Sequence, residues 1–123
     1  MTLMLLDSAS LWYRAYYGMP DTLLAPDGTS VNAIRGYIDM TARLMNVYKP
    51  DRLVACLDGD WRPSWRVDLF PDYKANRLEE EGDGEEEPET LTPQIPILLD
   101  LLDLFGIPIV GVDDYEADDV MAT

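Results

Sequence analysis

The chain has 123 residues, of which 47% are hydrophobic, and it carries a formal net charge of −15 at neutral pH. This length and apolar content predict one globular domain with its own core and exclude a disordered chain. The sequence contains no histidine, which excludes histidine-based zinc sites, serine–histidine triads and histidine general bases.

The sequence shows no sign of a membrane or secretory segment. No apolar run approaches the roughly 20 residues that a membrane helix needs, and the N-terminus lacks the pattern of a signal peptide. The single cysteine, Cys56, lies in an apolar run and has no second cysteine to pair with. These features predict a cytoplasmic protein in which Cys56 is a small core residue.

The charge is divided unevenly along the chain. Residues 1–77 hold all nine Lys and Arg residues and nine acidic residues, so their balance is 9 − 9 = 0. Residues 78–123 hold the other fifteen acidic residues and no base. The overall negative charge therefore does not exclude a basic, nucleic-acid-binding surface in the first part of the chain.

The first part of the chain predicts a strand and two helices. Residues 2–6 form an apolar run that predicts a buried strand, and residues 8–17 predict a short helix. We expect Ser30 or Asn32 to cap a long second helix and Lys49-Pro50 to end it. Its apolar stripe at helical spacing is Val31, Ile34, Ile38, Leu44, Met45 and Tyr48.

The middle of the chain changes character. Residues 53–57 predict a second buried strand, and the order strand–helix–strand predicts a parallel crossover. Residues 59–77 interleave aromatic and basic residues without a clean period. This composition suits contacts with nucleic-acid bases and phosphates, while packing of the Trp side chains on the core is the alternative. Residues 79–90 are acidic and of low complexity, which predicts a flexible loop.

The last part of the chain predicts a further helix, a third strand and the start of another helix. The helix begins at Thr92-Pro93 and ends at Gly106, residues 107–112 form the strand, and residues 116–123 begin the final helix. The inward-facing positions of the first of these helices are Ile95, Leu98, Leu99, Leu102 and Phe105. Together the elements predict one α/β domain over residues 1–123 with a parallel sheet.

Acidic residues follow all three predicted strands. Asp7 and Asp58 end the first two, and residues 113–119 hold five carboxylates in seven residues. In a parallel sheet these strand ends meet at one edge, and carboxylates without His or Cys suit Mg²⁺ or Mn²⁺. The alternative for residues 113–119 is a solvated helix start, because the helix dipole favours acidic residues there. Taken alone, this stretch fits the helix start better than a metal site. Acids at three strand ends favour the metal site.

Spacing distinguishes the acids of the last cluster. If Glu116 opens a helix, Glu116 and Asp119 share one face at i, i+3, while Asp118 points about 100° away. Such ligands serve either two ions or one ion with its water shell. Asp113 and Asp114 precede the helix and are predicted to be caps or solvated acids.

The sequence contains six short motifs: Leu5-Leu6-Asp7-Ser8, Ala55-Cys56-Leu57-Asp58, Tyr73-Lys74-Ala75-Asn76-Arg77, Gln94-Ile95-Pro96, Phe105-Gly106-Ile107-Pro108 and Tyr115-Glu116-Ala117-Asp118-Asp119-Val120. They occur in the order found in the 5′-nuclease (flap endonuclease) family, which the sequence resembles, in particular the bacterial 5′→3′ exonucleases and the 5′-nuclease domain of DNA polymerase I. The resemblance covers nearly the whole chain except residues 79–90.

The resemblance implies a PIN-like, three-layer parallel-sheet fold and hydrolysis of DNA phosphodiester bonds at 5′ ends or flaps, in replication and repair. It implies Mg²⁺ or Mn²⁺ as cofactor, with two ions in the complete enzyme. The metal-site carboxylates that it implies are Asp7, Asp58, Glu116, Asp118 and Asp119.

The resemblance also implies residues that act on the nucleic acid. Lys74 matches the lysine that contacts the scissile phosphate, with Arg77 one helical turn later as a second catalytic residue. Tyr73 matches an aromatic position that stacks on a nucleobase. Arg14, Arg62 and Arg66 are candidate phosphate contacts, and solvated surface is the alternative for each.

The sequence departs from the family pattern in two ways. The family's arch over the active site is usually basic, whereas residues 79–90 are acidic at that position. The family also continues with further metal-binding aspartates and a DNA-gripping helical element. We therefore expect the N-terminal portion of a catalytic domain, cut after its third core strand and able to self-associate through the sheet edge.

Two other functions are kept as alternatives. One is a catalytically incomplete fragment that binds metal or DNA without turnover. The other is a phospho-acceptor signalling domain, which also places acids at strand ends. The second needs a Ser or Thr and a Lys on later strands, and the only Lys after Asp58 lies in the aromatic and basic segment.

Overall fold

The computed structural model describes residues 2–59, 62–75 and 88–123. Within these ranges the chain forms three strands and five helices. Arg77 and residues 79–87 of the predicted acidic loop lie outside the described residues. In chain order, the elements are β1 (Leu3–Asp7), α1 (Ser8–Gly18), α2 (Asn32–Tyr48), β2 (Arg52–Leu57), α3 (Ser64–Leu69), α4 (Gln94–Leu104), β3 (Ile109–Gly111) and α5 (Ala117–Ala122).

The three strands form one parallel sheet in the order β1-β2-β3, so β2 lies at the centre. The register places Leu6 opposite Ala55, and Ala55 opposite Ile109. The helices α2 and α4 connect successive strands, as the alternation of apolar runs and helical periods predicts. The predicted α/β class and parallel sheet are confirmed. No helix in the described ranges is long and apolar enough to span a membrane.

The core lies between one face of the sheet and the helices α1, α2 and α4. Leu6 and Ala55 on the strands belong to the same buried cluster as Tyr37 and Leu98 on the helices. Gly36 lets α1 and α2 approach closely, since a Cβ at this position would lie 2.6 Å from the Cβ of Ala15. The core is therefore one contiguous cluster, as a single domain requires.

The opposite face of the sheet is partly exposed among the described residues. Because side chains alternate along a strand, Leu3, Leu5 and Val110 point away from the core, and their exposed fractions are 52%, 36% and 40%. Cys56 of the central strand lies on the same face but is only 1% exposed. The prediction of strands buried throughout is therefore wrong for the outer strands on this face. The short helix α5 lies beside it, and a cleft of about 630 Å³ between them is lined by Val110, Val112, Tyr115 and residues of α5.

The segment between β2 and α4 contains a helix that periodicity did not indicate. Residues Ser64–Leu69 form α3, which has no buried residue. A helix of six residues spans less than two turns, so it is too short to show a repeating apolar face.

The buried faces of the two long helices differ from the predicted stripes. Tyr37 is completely buried, whereas Met45 and Tyr48 are exposed. The fully buried positions of α2 lie between Asn32 and Thr41, while the predicted Ile38 and Leu44 are partly buried against the core. On α4, Leu98 and Leu102 are buried as predicted, but Phe105 is exposed.

The N-terminus of α2 is capped from a distant part of the chain. Neither Ser30 nor Asn32 is the cap, because the cap position is Val31 and makes no side-chain hydrogen bond there. Instead, Oε1 of Gln94 accepts hydrogen bonds from the backbone N–H groups of Ala33 (2.9 Å) and Ile34 (3.2 Å). These are donors that a helix leaves unpaired at its first turn.

The amide of Gln94 joins three helices through its other hydrogen bonds. Its Nε2 donates to Oδ1 of Asn32 (2.9 Å) and to the backbone oxygen of Thr90 (2.9 Å). Asn32 in turn donates through Nδ2 to the backbone oxygen of Tyr16 on α1 (2.9 Å). Gln94 and Asn32 are each only 1% exposed, so these bonds form in a desolvated setting where unpaired groups are costly.

We expect Gln94→Leu to destabilise the protein by about 2–4 kcal/mol, because it keeps the side-chain volume but leaves buried donors and acceptors unpaired. Urea unfolding followed by circular dichroism measures this loss. Leu104→Ala is the matched control on α4, since Leu104 is 80% exposed and should change stability by less than about 0.5 kcal/mol. Equal effects of the two substitutions would contradict the role of Gln94 as a cap.

Candidate functional site

The acidic residues predicted at the strand ends lie at the carboxyl edge of the sheet. Asp7 is the last residue of β1 and pairs in register with Cys56, two positions before Asp58. The Asp58 carboxylate accepts a hydrogen bond through Oδ1 from the backbone N–H of Ala117 (2.8 Å). This bond links the end of β2 to the first residue of α5, so the sheet topology brings the acids of distant segments to one place.

Gly59 permits this close approach. Its N–H donates to the backbone oxygen of Tyr115 (2.9 Å), and a Cβ at this position would lie only 2.0 Å from the backbone oxygen of Val112. Only glycine allows two backbone segments to come so near each other. The glycine after Asp58 therefore sets the position of that carboxylate against α5.

Glu116 and Asp119 form a reciprocal capping box at the start of α5. The side chain of Glu116 accepts from the backbone N–H of Asp119, and Oδ2 of Asp119 accepts from the backbone N–H of Glu116 (2.9 Å). This arrangement satisfies two donors that the helix leaves unpaired. The same residues therefore start a helix and lie in the candidate site, so both interpretations of this stretch apply to them. The predicted common face of Glu116 and Asp119 is observed.

Two cations and a phenol converge on these carboxylates. Glu116 is 5% exposed and forms ion pairs with Arg66 and Lys74. The hydroxyl of Tyr73 donates to both carboxylate oxygens of Glu116, at 2.6 and 2.8 Å. Arg66 also reaches Asp119, with 2.5 Å between Nη2 and Oδ1. We call these five residues the ion cluster.

Aromatic rings hold Arg66 in the ion cluster. The guanidinium lies 4.4 Å from the ring centre of Trp65 and 5.5 Å from that of Tyr73, distances at which a cation is attracted to the ring. Trp65 is itself fixed, because its Nε1 donates to the backbone oxygen of Asp114 (2.8 Å) and its ring packs against Tyr115.

The turn that carries Tyr73 and Lys74 is held by a third base. Arg62 donates through Nε to the backbone oxygen of Tyr73 (2.8 Å) and through Nη2 to that of Pro71 (3.1 Å). Lys74 has a φ of 53°, a left-handed backbone conformation that is uncommon outside glycine. Arg62 thus supports the backbone that presents the Lys74 ammonium group to Glu116.

The charges around the cluster shift the carboxyl pKa values in opposite directions. Desolvation, with smaller contributions from the neighbouring Asp7 and Glu116 charges, raises the pKa of Asp58. Desolvation also acts to raise the pKa of Glu116, but the Lys74 and Tyr73 hydrogen bonds and the Lys74 and Arg66 charges outweigh it and lower that pKa. The hydrogen bond from Arg66 lowers the pKa of Asp119. Glu116 and Asp119 are therefore anions held by cations.

The observed arrangement does not fit a bound metal ion as it stands. Within residues 2–59, 62–75 and 88–123, no group of three or more Asp, Glu, Cys or His side chains is placed to hold one ion. The donor chemistry is suitable, since carboxylates are the ligands of hard cations. However, Glu116 and Asp119 already bind the side chains of Arg66 and Lys74.

The other predicted site residues take different positions. Asp118 is exposed on α5, and Arg14 is exposed on α1. Oδ2 of Asp7 accepts a hydrogen bond from Ser10 (3.0 Å). Arg66, predicted to contact phosphate, is engaged with carboxylates. The catalytic, metal-binding and DNA-binding roles of these residues stay predictions.

The pairing of Arg66 with Glu116 and Asp119 was not predicted from the sequence. One signal in the sequence was available: an aromatic residue precedes the base in both Trp65-Arg66 and Tyr73-Lys74. Both pairs converge on Glu116, with each cation near the aromatic ring that precedes it. The dipeptide alone does not identify the cluster, because it also occurs in Tyr13-Arg14, Tyr48-Lys49 and Trp61-Arg62. The partner Glu116 lies more than 40 residues from both bases.

Comparison with known proteins identifies relatives along the whole chain. Residues 2–123 match the protein family described as 5′-3′ exonuclease, N-terminal resolvase-like domain. The chain is 56% identical to a 5′-3′ exonuclease of Streptomyces coelicolor, over 98% of this chain and 41% of that protein. It is 50% identical to a 5′-3′ exonuclease of Mycobacterium tuberculosis, over 98% of this chain and 40% of that protein. It is also 34% identical to DNA polymerase I of Mycobacterium bovis, over 99% of this chain and 13% of the polymerase.

Solved structures share the fold. The zinc-bound T5 5′-exonuclease has a TM-score of 0.65 at 24% identity, over 99% of this chain and 42% of that one. The bacteriophage T5 flap endonuclease in a pseudo-enzyme–product complex with DNA and metal ions has a TM-score of 0.64 at 24% identity, with the same coverage. At this identity the likeness shows the fold alone, and it confirms the predicted PIN-like α/β architecture. The chain spans about two-fifths of the length of these exonucleases. By its family match and its identity to these relatives, the chain belongs to the 5′-3′ exonuclease family, in the N-terminal resolvase-like domain.

Proposed function

We propose that the chain is part of a divalent-metal-dependent 5′→3′ exonuclease and 5′-flap endonuclease that hydrolyses phosphodiester bonds in DNA. The observation that carries this proposal is the ion cluster at the carboxyl edge of the sheet. There Lys74 and Tyr73 lie against Glu116, beside the strand ends that carry Asp7 and Asp58. The similarity to 5′-3′ exonucleases, and the DNA complex of the T5 flap endonuclease, support the same activity.

Lys74 and Tyr73 are the residues that we propose act on the nucleic acid. An ammonium group at an acidic edge offers a preorganised positive charge for the negative charge that develops on a phosphodiester in the transition state. An aromatic ring beside it offers a platform for an unpaired base. We propose that Arg77 adds a second positive charge and that Arg62 acts chiefly by supporting the turn of Tyr73.

The proposed cofactor is Mg²⁺ or Mn²⁺. The carboxylates of Asp7, Asp58, Glu116, Asp118 and Asp119 are the proposed ligands in the complete enzyme, and their oxygen chemistry suits these ions. Two of the T5 structures contain divalent zinc or other metal ions, which supports metal dependence without selecting the ion.

The substrate, process and compartment are further parts of the proposal. We propose DNA with 5′ ends or flaps as the substrate, replication and repair as the process, and the cytoplasm as the compartment. The last is supported by Cys56, a buried free thiol. Self-association through the sheet edge is supported by the exposed apolar residues Leu3 and Val110 on the two outer strands.

A second candidate is a metal- or DNA-binding unit that does not turn over by itself. It is favoured by the lack of a group of three close carboxylates in the described residues and by the two-fifths coverage of the exonuclease relatives. Binding of Mn²⁺ and flap DNA by the 123-residue chain without cleavage would select this candidate. The phospho-acceptor alternative has no support from the family match.

We expect the protein to release short 5′-phosphorylated products from a 5′-flap DNA substrate when Mg²⁺ or Mn²⁺ is present. Removal of the metal should abolish cleavage, because carboxylates alone cannot neutralise the charge on the leaving oxygen. Gel electrophoresis of end-labelled DNA measures the products, and the 56%-identical Streptomyces coelicolor exonuclease is the positive control. Cleavage that persists in excess EDTA would refute metal dependence.

Lys74→Ala should slow flap cleavage by about 100-fold or more, because it removes a positive charge aimed at the transition state. The rate at saturating DNA measures this effect, and circular dichroism checks that the variant folds. Arg43→Ala, an exposed position on α2, removes a base outside the ion cluster and should cleave within about twofold of the parent chain. Equal rates for both variants would exclude Lys74 from catalysis.

A further inference from the structure

Arg66 occupies the position between two carboxylates that a bound cation would take. Its Nη1 pairs with Oε2 of Glu116, and its Nη2 lies 2.5 Å from Oδ1 of Asp119. The three side chains are 23%, 6% and 23% exposed, respectively, so water screens these pairs less than it screens pairs at an open surface. One guanidinium therefore pairs with two anions that are both proposed metal ligands.

The carboxylate oxygens of the pair are all used by the chain itself. Oε1 of Glu116 accepts from Lys74 and Tyr73, and Oε2 accepts from Arg66 and Tyr73. Oδ1 of Asp119 accepts from Arg66, while Oδ2 accepts from the backbone of Glu116. A divalent ion that ligates both residues would have to lie next to the guanidinium, where two positive charges repel each other strongly.

Arg66 cannot relieve this conflict by losing its proton, because guanidinium stays charged in proteins. The ion pairs raise its pKa further. The side chain must therefore move, and its surroundings permit this. Arg66 lies on α3, a helix with no buried residue, and one side of its guanidinium faces the ring of Trp65 rather than the core. Rotation of Arg66 away from the carboxylates does not require the core to repack.

We infer that Arg66 is a positioning residue that holds Glu116 and Asp119, and that a divalent cation binds these carboxylates only by displacing it. This inference rests on the proposed metal dependence and adds a competition between an internal and an external cation. It explains why carboxylates suited to a metal ion lie at the edge of the sheet although, in the described residues, no three of them are placed to hold one ion. The displaced guanidinium becomes available for a phosphate, the role predicted for Arg66 from the sequence.

Mn²⁺ titration by calorimetry, or by the electron paramagnetic resonance signal of free Mn²⁺, tests the competition. Arg66→Met keeps much of the apolar bulk and removes the charge, so Mn²⁺ should bind about tenfold tighter, within the usual range of coupling between two sites. Arg35→Met is the matched control, because Arg35 is 64% exposed and pairs with Asp39 on α2. It removes the same charge elsewhere and should change Mn²⁺ affinity less than twofold.

Thermal unfolding gives a second measurement that does not depend on activity. Without added Mn²⁺, Arg66→Met should melt at a lower temperature than the parent chain, since Asp119 loses its ion pair with Arg66 and Glu116 loses one of its two ion pairs. Saturating Mn²⁺ should then raise its melting temperature by more than it raises that of the parent, because tighter binding stabilises more. If Arg66→Met does not fold, Arg66→Lys serves instead. The lysine variant keeps the positive charge but lacks the planar guanidinium that contacts both carboxylates. It should bind Mn²⁺ with an affinity between those of the parent chain and Arg66→Met.

The outcomes separate this inference from the proposed function. Tighter Mn²⁺ binding by Arg66→Met alone supports the competition. Equal or weaker binding than the parent chain overturns the competition and shows that Arg66 supports the site, while metal dependence stands. No saturable Mn²⁺ binding by the parent, Arg35→Met and Arg66→Met overturns the metal dependence itself, and the competition with it.

Discussion

Negative charge gathered at one edge of a parallel sheet has to be balanced by positive charge nearby. The strand order places Asp7, Asp58 and the start of α5 at that edge, and carboxylates this close raise one another's pKa. Arg66 and Lys74 meet the requirement at Glu116 and lower its pKa despite its burial. At Asp58 desolvation outweighs the hydrogen bond from Ala117 and the charge of Lys74, so its pKa is raised. The edge is thus divided into a neutralised part and a part where negative charge is still unfavourable.

The segment between β2 and α4 supplies the positive charge at this edge of the sheet. Residues 62–75 contribute little to the core, since α3 has no buried residue. They instead carry both cations and the aromatic rings that orient them. A segment held mainly by ion pairs and ring contacts can rearrange at lower cost than one held by core packing. The same bonds that stabilise the edge in this structure therefore leave it able to respond to a competing cation or a phosphate.

The helical layer depends on a different polar interaction. Gln94 caps α2 across 61 residues of sequence and joins it to α4, while Asn32 extends the network to α1. Because these amides are almost completely buried, their hydrogen bonds fix how the helices pack. Family membership agrees with this view, since the match extends over residues 2–123 and thus covers both the helical layer and the acidic edge.

The sequence by itself determined the α/β class, the order of the main elements, the strand ends that carry acids and the family. These follow from local properties: the period of apolar residues, the residue after each apolar run, and short motifs. Only the tertiary structure decided that Gln94 caps α2, that the outer strands are exposed on one sheet face, and that Arg66 pairs with Glu116 and Asp119. These contacts join residues 50 to 61 positions apart, or depend on which element covers a face. Local periodicity carries no information about such distances, because they are set by how the elements pack.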